Sequence, residues 1–152
     1  MDAYRISRSA YIRDLSGEGA RRYGGRWNRK GHPVLYTAEH ASLAILETLV
    51  HSSINALPND LCIAKIHIPD DIKTMVLKEE ELPENWRQYP APNILADRGA
   101  EWLNKAKSLV MMVPSAVVPS EWNILLNPVH PEFEGIKLDG VRDFSLDRRL
   151  AQ

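Results

Sequence analysis

Four residues account for most of the chemistry this chain could perform: Arg26, Tyr36, Glu47 and Ser115. Arg26 follows Gly24-Gly25 directly, where paired glycines let a backbone come close to a ligand. Its planar guanidinium matches phosphate or carboxylate oxygens. A solvated loop arginine is the plain alternative, although it would not need the glycines. Glu47 is unexpected because Leu43, Glu47, Val50 and Ile54, spaced by four, three and four, share one helical face. A carboxylate on an apolar face must find donors, a cation or a proton. A structural ion pair with an arginine, or a wet helix edge, competes with a catalytic role. Tyr36 ends the strand-like run Pro33-Val34-Leu35-Tyr36 and reads by default as a half-buried strand aromatic. Ser115 lies between Pro114 and Pro119 at the exit of an apolar run, where an ordinary turn serine also fits. Together, an arginine, a carboxylate, a serine and an aromatic can hold an anion and stabilise a nearby positive charge. That suits cleavage at the anomeric carbon of a nucleotide sugar.

Other chemistries find little support. His32, His40, His51, His67 and His130 show no pair at recognised ligand spacing and Cys62 stands alone, so no metal site is expected. No Walker loop, Gly-x-Gly-x-x-Gly fingerprint or Gly-x-Ser-x-Gly elbow is present. A formal net charge of −1 gives no general attraction to nucleic acid or anionic membrane. The local cluster Arg21-Arg22, Arg26, Arg29-Lys30 suits a small anion better than a long polyanion. No apolar run approaches the ~20 residues of a membrane span, and the lone cysteine fits a reducing compartment. The expected location is the cytoplasm.

The elements that must position these residues follow from patterning. At 152 residues, 44% hydrophobic and 26% charged, the chain is expected to form one globular domain over 1–152. Ala3 to Ile6 reads as a first strand and Ser16 to Gly25 as a glycine-rich loop. Thr37 reads as the N-cap of a helix over roughly His40 to Asn55, with Glu39 in its first turn. Cys62 to Ile68 alternates as a half-buried strand with Lys65 and His67 on the other side. Ile72 to Leu77 suggests a further short strand, and Lys78 to Pro92 is aperiodic, with Trp86 and Tyr89 suited equally to a core edge or a site. A helix is expected from Asn93, burying Ile94, Leu95, Trp102, Leu103 and Ala106, with Gly99 as its weak point. Leu109 to Val113 fits a fully buried central strand. Ile124 to Leu126 and a strand or two in Phe133 to Leu150 complete the set.

Tyr4-Arg5-Ile6, Gly24-Gly25-Arg26-Trp27-Asn28, Gly31-x-Pro33-Val34-Leu35-Tyr36-Thr37-Ala38, Glu47, Val113-Pro114-Ser115 and Asn123-x-x-x-Asn127-Pro128 together resemble the RES domain. That family is named for an arginine, a glutamate and a serine, matched here by Arg26, Glu47 and Ser115. The resemblance runs from Tyr4 to about Leu150 and is weakest between 69 and 100. It implies an α+β fold similar to ADP-ribosyltransferases, with a mainly antiparallel sheet and flanking helices. It also implies a bacterial toxin acting on NAD+, paired with an Xre-type antitoxin that blocks the active site. NAD+ is then a consumed substrate rather than a cofactor, and inorganic phosphate is a candidate co-substrate. On this reading Arg26 binds the pyrophosphate, Tyr36 stacks on nicotinamide or its ribose, and Glu47 faces the oxocarbenium-like charge. Ser115 positions nicotinamide or ribose by a hydrogen bond, and Trp27, Asn28 and Asn123 complete the substrate contacts. Phosphorolysis, hydrolysis and protein ADP-ribosylation all remain open. A non-catalytic nucleotide- or anion-binding module and an RNA-cleaving toxin are the rivals, the latter disfavoured by the near-neutral charge.

Overall fold

The computed structural model describes residues 1–151. In chain order the first half holds β1 (Asp2–Arg8), α1 (Glu18–Tyr23), β2 (Leu35–Ala38), α2 (Ala41–His51) and β3 (Leu61–His67). The second half holds β4 (Thr74–Val76), α3 (Asn93–Lys105), β5 (Val110–Pro114), β6 (Trp122–Leu126) and β7 (Lys137–Asp143). All seven strands join one sheet in the order β4-β5-β6-β2-β1-β3-β7. Every pairing is antiparallel except β4 with β5. The architecture is α+β, as expected.

The unbroken apolar run that predicts β5 has its reason in the packing. Met111 and Val113 enter one cluster with Trp27, Trp86, Leu95, Trp102 and Leu125, while Val110 joins Ala3, Leu35, Ile66, Ile124 and Leu126 in another. Side chains alternate across a strand, so β5 and the Ile124–Leu126 end of β6 are covered on both faces and must be apolar there. Each fully buried Leu or Val contributes about 1.5–3 kcal/mol. In β3, Cys62, Ala64 and Ile66 are buried, whereas Lys65 turns outward to Asp2 and Asp139 at 3.2 and 3.3 Å.

Several expectations are corrected. Thr37 is not a helix cap: it lies in β2, buried, and its Oγ1 donates to the Ile124 carbonyl at 2.6 Å. His40 occupies the N-cap position, and Glu39 precedes the helix, accepting from the Trp122 amide at 2.7 Å. Helix α2 ends at His51 rather than near Asn55, and Val50 is exposed, so the apolar stripe stops before its predicted end. The expected loop of Ser16 to Gly25 contains α1, opened by Glu18, which pairs with Arg21 and Arg22. In α3, Ile94 is exposed and so is Ala106, the left-handed residue that terminates the helix. Gly99 is a docking point rather than a weakness. A Cβ there would lie 1.7 Å from the Trp27 carbonyl oxygen, so only glycine lets the Trp27 backbone lie against α3. No helix among the described residues is long and apolar enough to cross a membrane.

Candidate active site

Glu47 projects from α2 toward the point where β5 and β6 separate, and it is half-buried. Its Oε1 accepts two hydrogen bonds, from Ser115 Oγ at 2.7 Å and from Asn123 Nδ2 at 2.8 Å. Neutral donors hold it, so the ion-pair alternative does not describe this residue. Among the described residues Oε2 takes no protein hydrogen bond, leaving one oxygen of a fixed carboxylate free.

Ser115 is fully buried, and its hydroxyl is fully used. It accepts from the amides of Val117 at 3.0 Å and Val118 at 3.1 Å, so its single proton is directed at Glu47. A hydroxyl has one donor and two acceptor sites. None remains for a ligand, and the expectation that Ser115 hydrogen-bonds nicotinamide or ribose gives way to a role in orienting Glu47. The turn that supplies the two amides is tied down by the Ser115 amide, which donates to the Glu121 carbonyl at 2.9 Å. Asn123 stands in β6 opposite both Ala38 of β2 and Val113 of β5. Its amide therefore arrives on a rigid strand.

Arg26 is half-buried, and its Nη1 donates to the carbonyls of Trp86 at 2.7 Å and Gln88 at 3.1 Å. Nε and Nη2 make no protein hydrogen bond among the described residues. Burial lowers the Arg26 pKa, while the nearby charge of Glu47 and then Tyr36 work against that shift. The guanidinium thus sits within electrostatic reach of Glu47, with the donors of Nε and Nη2 open. The Trp86–Gln88 segment has a second anchor, because Arg87 Nε donates to the Ala116 carbonyl at 3.0 Å. Backbone carbonyls carry this strap, which is why residue types between 78 and 92 gave no sign of it. Trp86 itself is core, whereas Tyr89 is exposed and its ring meets His51 edge-on at 6.4 Å. His51 lies one turn beyond Glu47 on α2, a neighbour that i,i+4 spacing would have revealed.

Trp27 and Asn28, expected among the substrate contacts, are turned inward, each only 2% exposed. Trp27 fills the cluster under α3. Asn28 donates to the carbonyls of Ala20, Arg29 and His32 and accepts from the Tyr36 hydroxyl at 2.7 Å. The same hydroxyl accepts from the Trp27 amide at 3.0 Å. Burial pushes the Tyr36 pKa up, with the Trp27 amide and Arg26 opposing, so it remains a phenol. Tyr36 is thus the internal post of the Arg26 loop. A Cβ on Gly25 would lie 2.8 Å from its hydroxyl oxygen, which explains the second glycine; the first has φ of 72°. Two cavities lie elsewhere, one of about 340 Å³ beside Asp60 and Asp143 and one of about 420 Å³ between β4 and α3. Neither is lined by Arg26, Glu47 or Ser115.

Comparison with known proteins gives a consistent result. The family model described as RES domain matches residues 2–148. A protein named Toxin Res from Yersinia enterocolitica is 43% identical over 153 residues, covering 99% of each chain. The Prs ADP-ribosylating toxin of a Sphingobium strain is 38% identical over 139 residues, covering 90% of this chain and 86% of that one. Among solved structures, the M. tuberculosis MbcT–MbcA toxin–antitoxin complex contains a chain with a TM-score of 0.75 and 20% identity. The match covers 95% of this chain and 84% of that one, and at this identity it speaks to the fold.

Proposed function

The chain belongs to the RES-domain family, and we propose that it is the toxin of a toxin–antitoxin pair that consumes NAD+ by cleaving the nicotinamide–ribose bond. The observation that carries this reading is the arrangement of Glu47. One oxygen is clamped by Ser115 and Asn123, the other is free, and the partly open guanidinium of Arg26 lies within electrostatic reach. Breaking an N-glycosidic bond builds positive charge on the ribose, and a preoriented carboxylate stabilises that charge without reorganising. Glu47 Oε2 supplies it and can also accept from a ribose hydroxyl. Arg26 Nε and Nη2 bind the pyrophosphate while Nη1 stays on the strap. Ser115 acts as a positioning residue, since its one proton is directed at Glu47 and its lone pairs accept from the Val117 and Val118 amides. Nicotinamide leaves with the glycosidic electron pair, and phosphate or water takes the ribosyl carbon from the opposite side.

The name of the Sphingobium relative favours a second reading, transfer of ADP-ribose to a protein side chain. The same Glu47 and Arg26 serve both reactions, which differ only in the acceptor. Incubating the pure protein with NAD+, with and without inorganic phosphate, and following nicotinamide and product mass tests both. ADP-ribose 1″-phosphate identifies a phosphorylase, free ADP-ribose a hydrolase and a mass-shifted protein a transferase. No release of nicotinamide under any of these conditions leaves a non-catalytic binding module. An antitoxin of Xre type that occludes Glu47 and Arg26 is the matching partner.

A further inference from the structure

Glu39, His40 and Glu121 are brought together from the β2–α2 junction and the turn before β6. Their ligand atoms all lie within 4.8 Å of one another. His40 Nδ1 is 3.4 Å from Glu121 Oε2 and 3.8 Å from Glu39 Oε1. A tetrahedral ion with bonds of about 2.0–2.2 Å holds its ligands roughly 3.3–3.6 Å apart, so two of the three edges are already near the required length. The charge balance points the same way. Two half-buried carboxylates converge, their side chains 24% and 31% exposed, and among the described residues His40 is the only basic side chain within ion-pair distance of either. Glu39 Oε1 also accepts from the Trp122 amide at 2.7 Å, the kind of outer contact that orients a metal-binding carboxylate.

We propose that Glu39, His40 and Glu121 form a binding site for a borderline divalent transition ion such as Zn2+, with water in the fourth position. Imidazole with two carboxylates suits zinc better than the all-oxygen octahedron of magnesium. Spacing along the chain does not announce it, because His40 has no histidine or cysteine partner at ligand spacing and Glu121 lies 81 residues away. The ion would join the start of α2, which carries Glu47, to the turn whose Glu121 carbonyl holds the Ser115 amide.

The test uses chelator-treated protein titrated with Zn2+ by calorimetry and with Co2+ by visible absorption. One ion per chain is expected, with the intense visible bands of tetrahedral Co2+ and a Zn2+-dependent rise in Tm. Affinity should fall by about 10-fold or more in His40→Ala and in Glu121→Gln. It should be unchanged in His67→Ala, whose ring faces the lone carboxylate of Asp2 at 3.2 Å. His40 is 57% exposed, so its removal leaves the fold intact, which circular dichroism checks. Absence of 1:1 binding, or binding equally tight in His40→Ala, overturns the proposal. NAD+ turnover enters none of these measurements, so the outcome stands apart from the proposed reaction.

Discussion

Glu47→Gln separates charge from packing at the centre of the site. Glutamine can keep its carbonyl toward Ser115 and Asn123 and turn its amide outward where Oε2 is unpaired. Stability should therefore change by about 0.5 kcal/mol or less, while NAD+ cleavage falls by about 10²-fold or more. Melting and nicotinamide release, measured on the same sample, check both parts. Ser115→Ala should behave differently. It removes the proton that orients Glu47 and strands two half-buried amides, each costing up to about 1–3 kcal/mol. Both Tm and turnover should drop, and a variant with unchanged Tm would show that the Val117 and Val118 amides are satisfied otherwise. Arg26→Lys retains a charge that can reach the Trp86 and Gln88 carbonyls but cannot fork to a pyrophosphate at the same time. NAD+ affinity should fall with the fold intact, which calorimetric titration of NAD+ against each protein would register.

Among the elements, α3 matters beyond its own helical content because the Trp27 backbone lies against Gly99. Gly-to-Ala in a helix interior ordinarily stabilises by up to about 1 kcal/mol. Here the added methyl would meet the Trp27 carbonyl at 1.7 Å, so Gly99→Ala should destabilise by about 1–3 kcal/mol or more. At this chain length that lowers Tm by roughly 2–4 °C per kcal/mol. Because Trp27 follows Arg26 directly, NAD+ turnover should fall as well, although the substitution touches neither Arg26 nor Glu47. A more stable Gly99→Ala protein would show that the loop and helix separate freely.

For the whole molecule, α2, the Arg26 loop and the turn after β5 supply the groups of the proposed site, and on the proposed reading a neutralising partner acts on them. Co-expressed with a cognate Xre-type antitoxin, the chain should be harmless to cells and the purified complex should not release nicotinamide from NAD+. Full turnover in such a complex would place the antitoxin away from Glu47 and Arg26.

Much of this was legible from local pattern. The β5 and β6 runs, the alternation of β3 and the helix after Asn93 follow from side-chain periodicity, which depends on residue type alone. Arg26, Glu47 and Ser115 stood out by type and setting, and the family motif supplied their order. Other features depend on contacts between distant segments. Thr37 looks like a cap until β6 supplies the Ile124 carbonyl, and Gly99 looks weak until Trp27 arrives. Trp27 and Asn28 look like ligand contacts until the loop closes over them. The strap on Arg26 and the amides on Ser115 are backbone groups, which every residue carries and no residue type announces. Sequence determined which groups are available for chemistry; tertiary structure decided which of them keep a free donor or acceptor, because hydrogen-bond capacity is used up by neighbours remote in the chain.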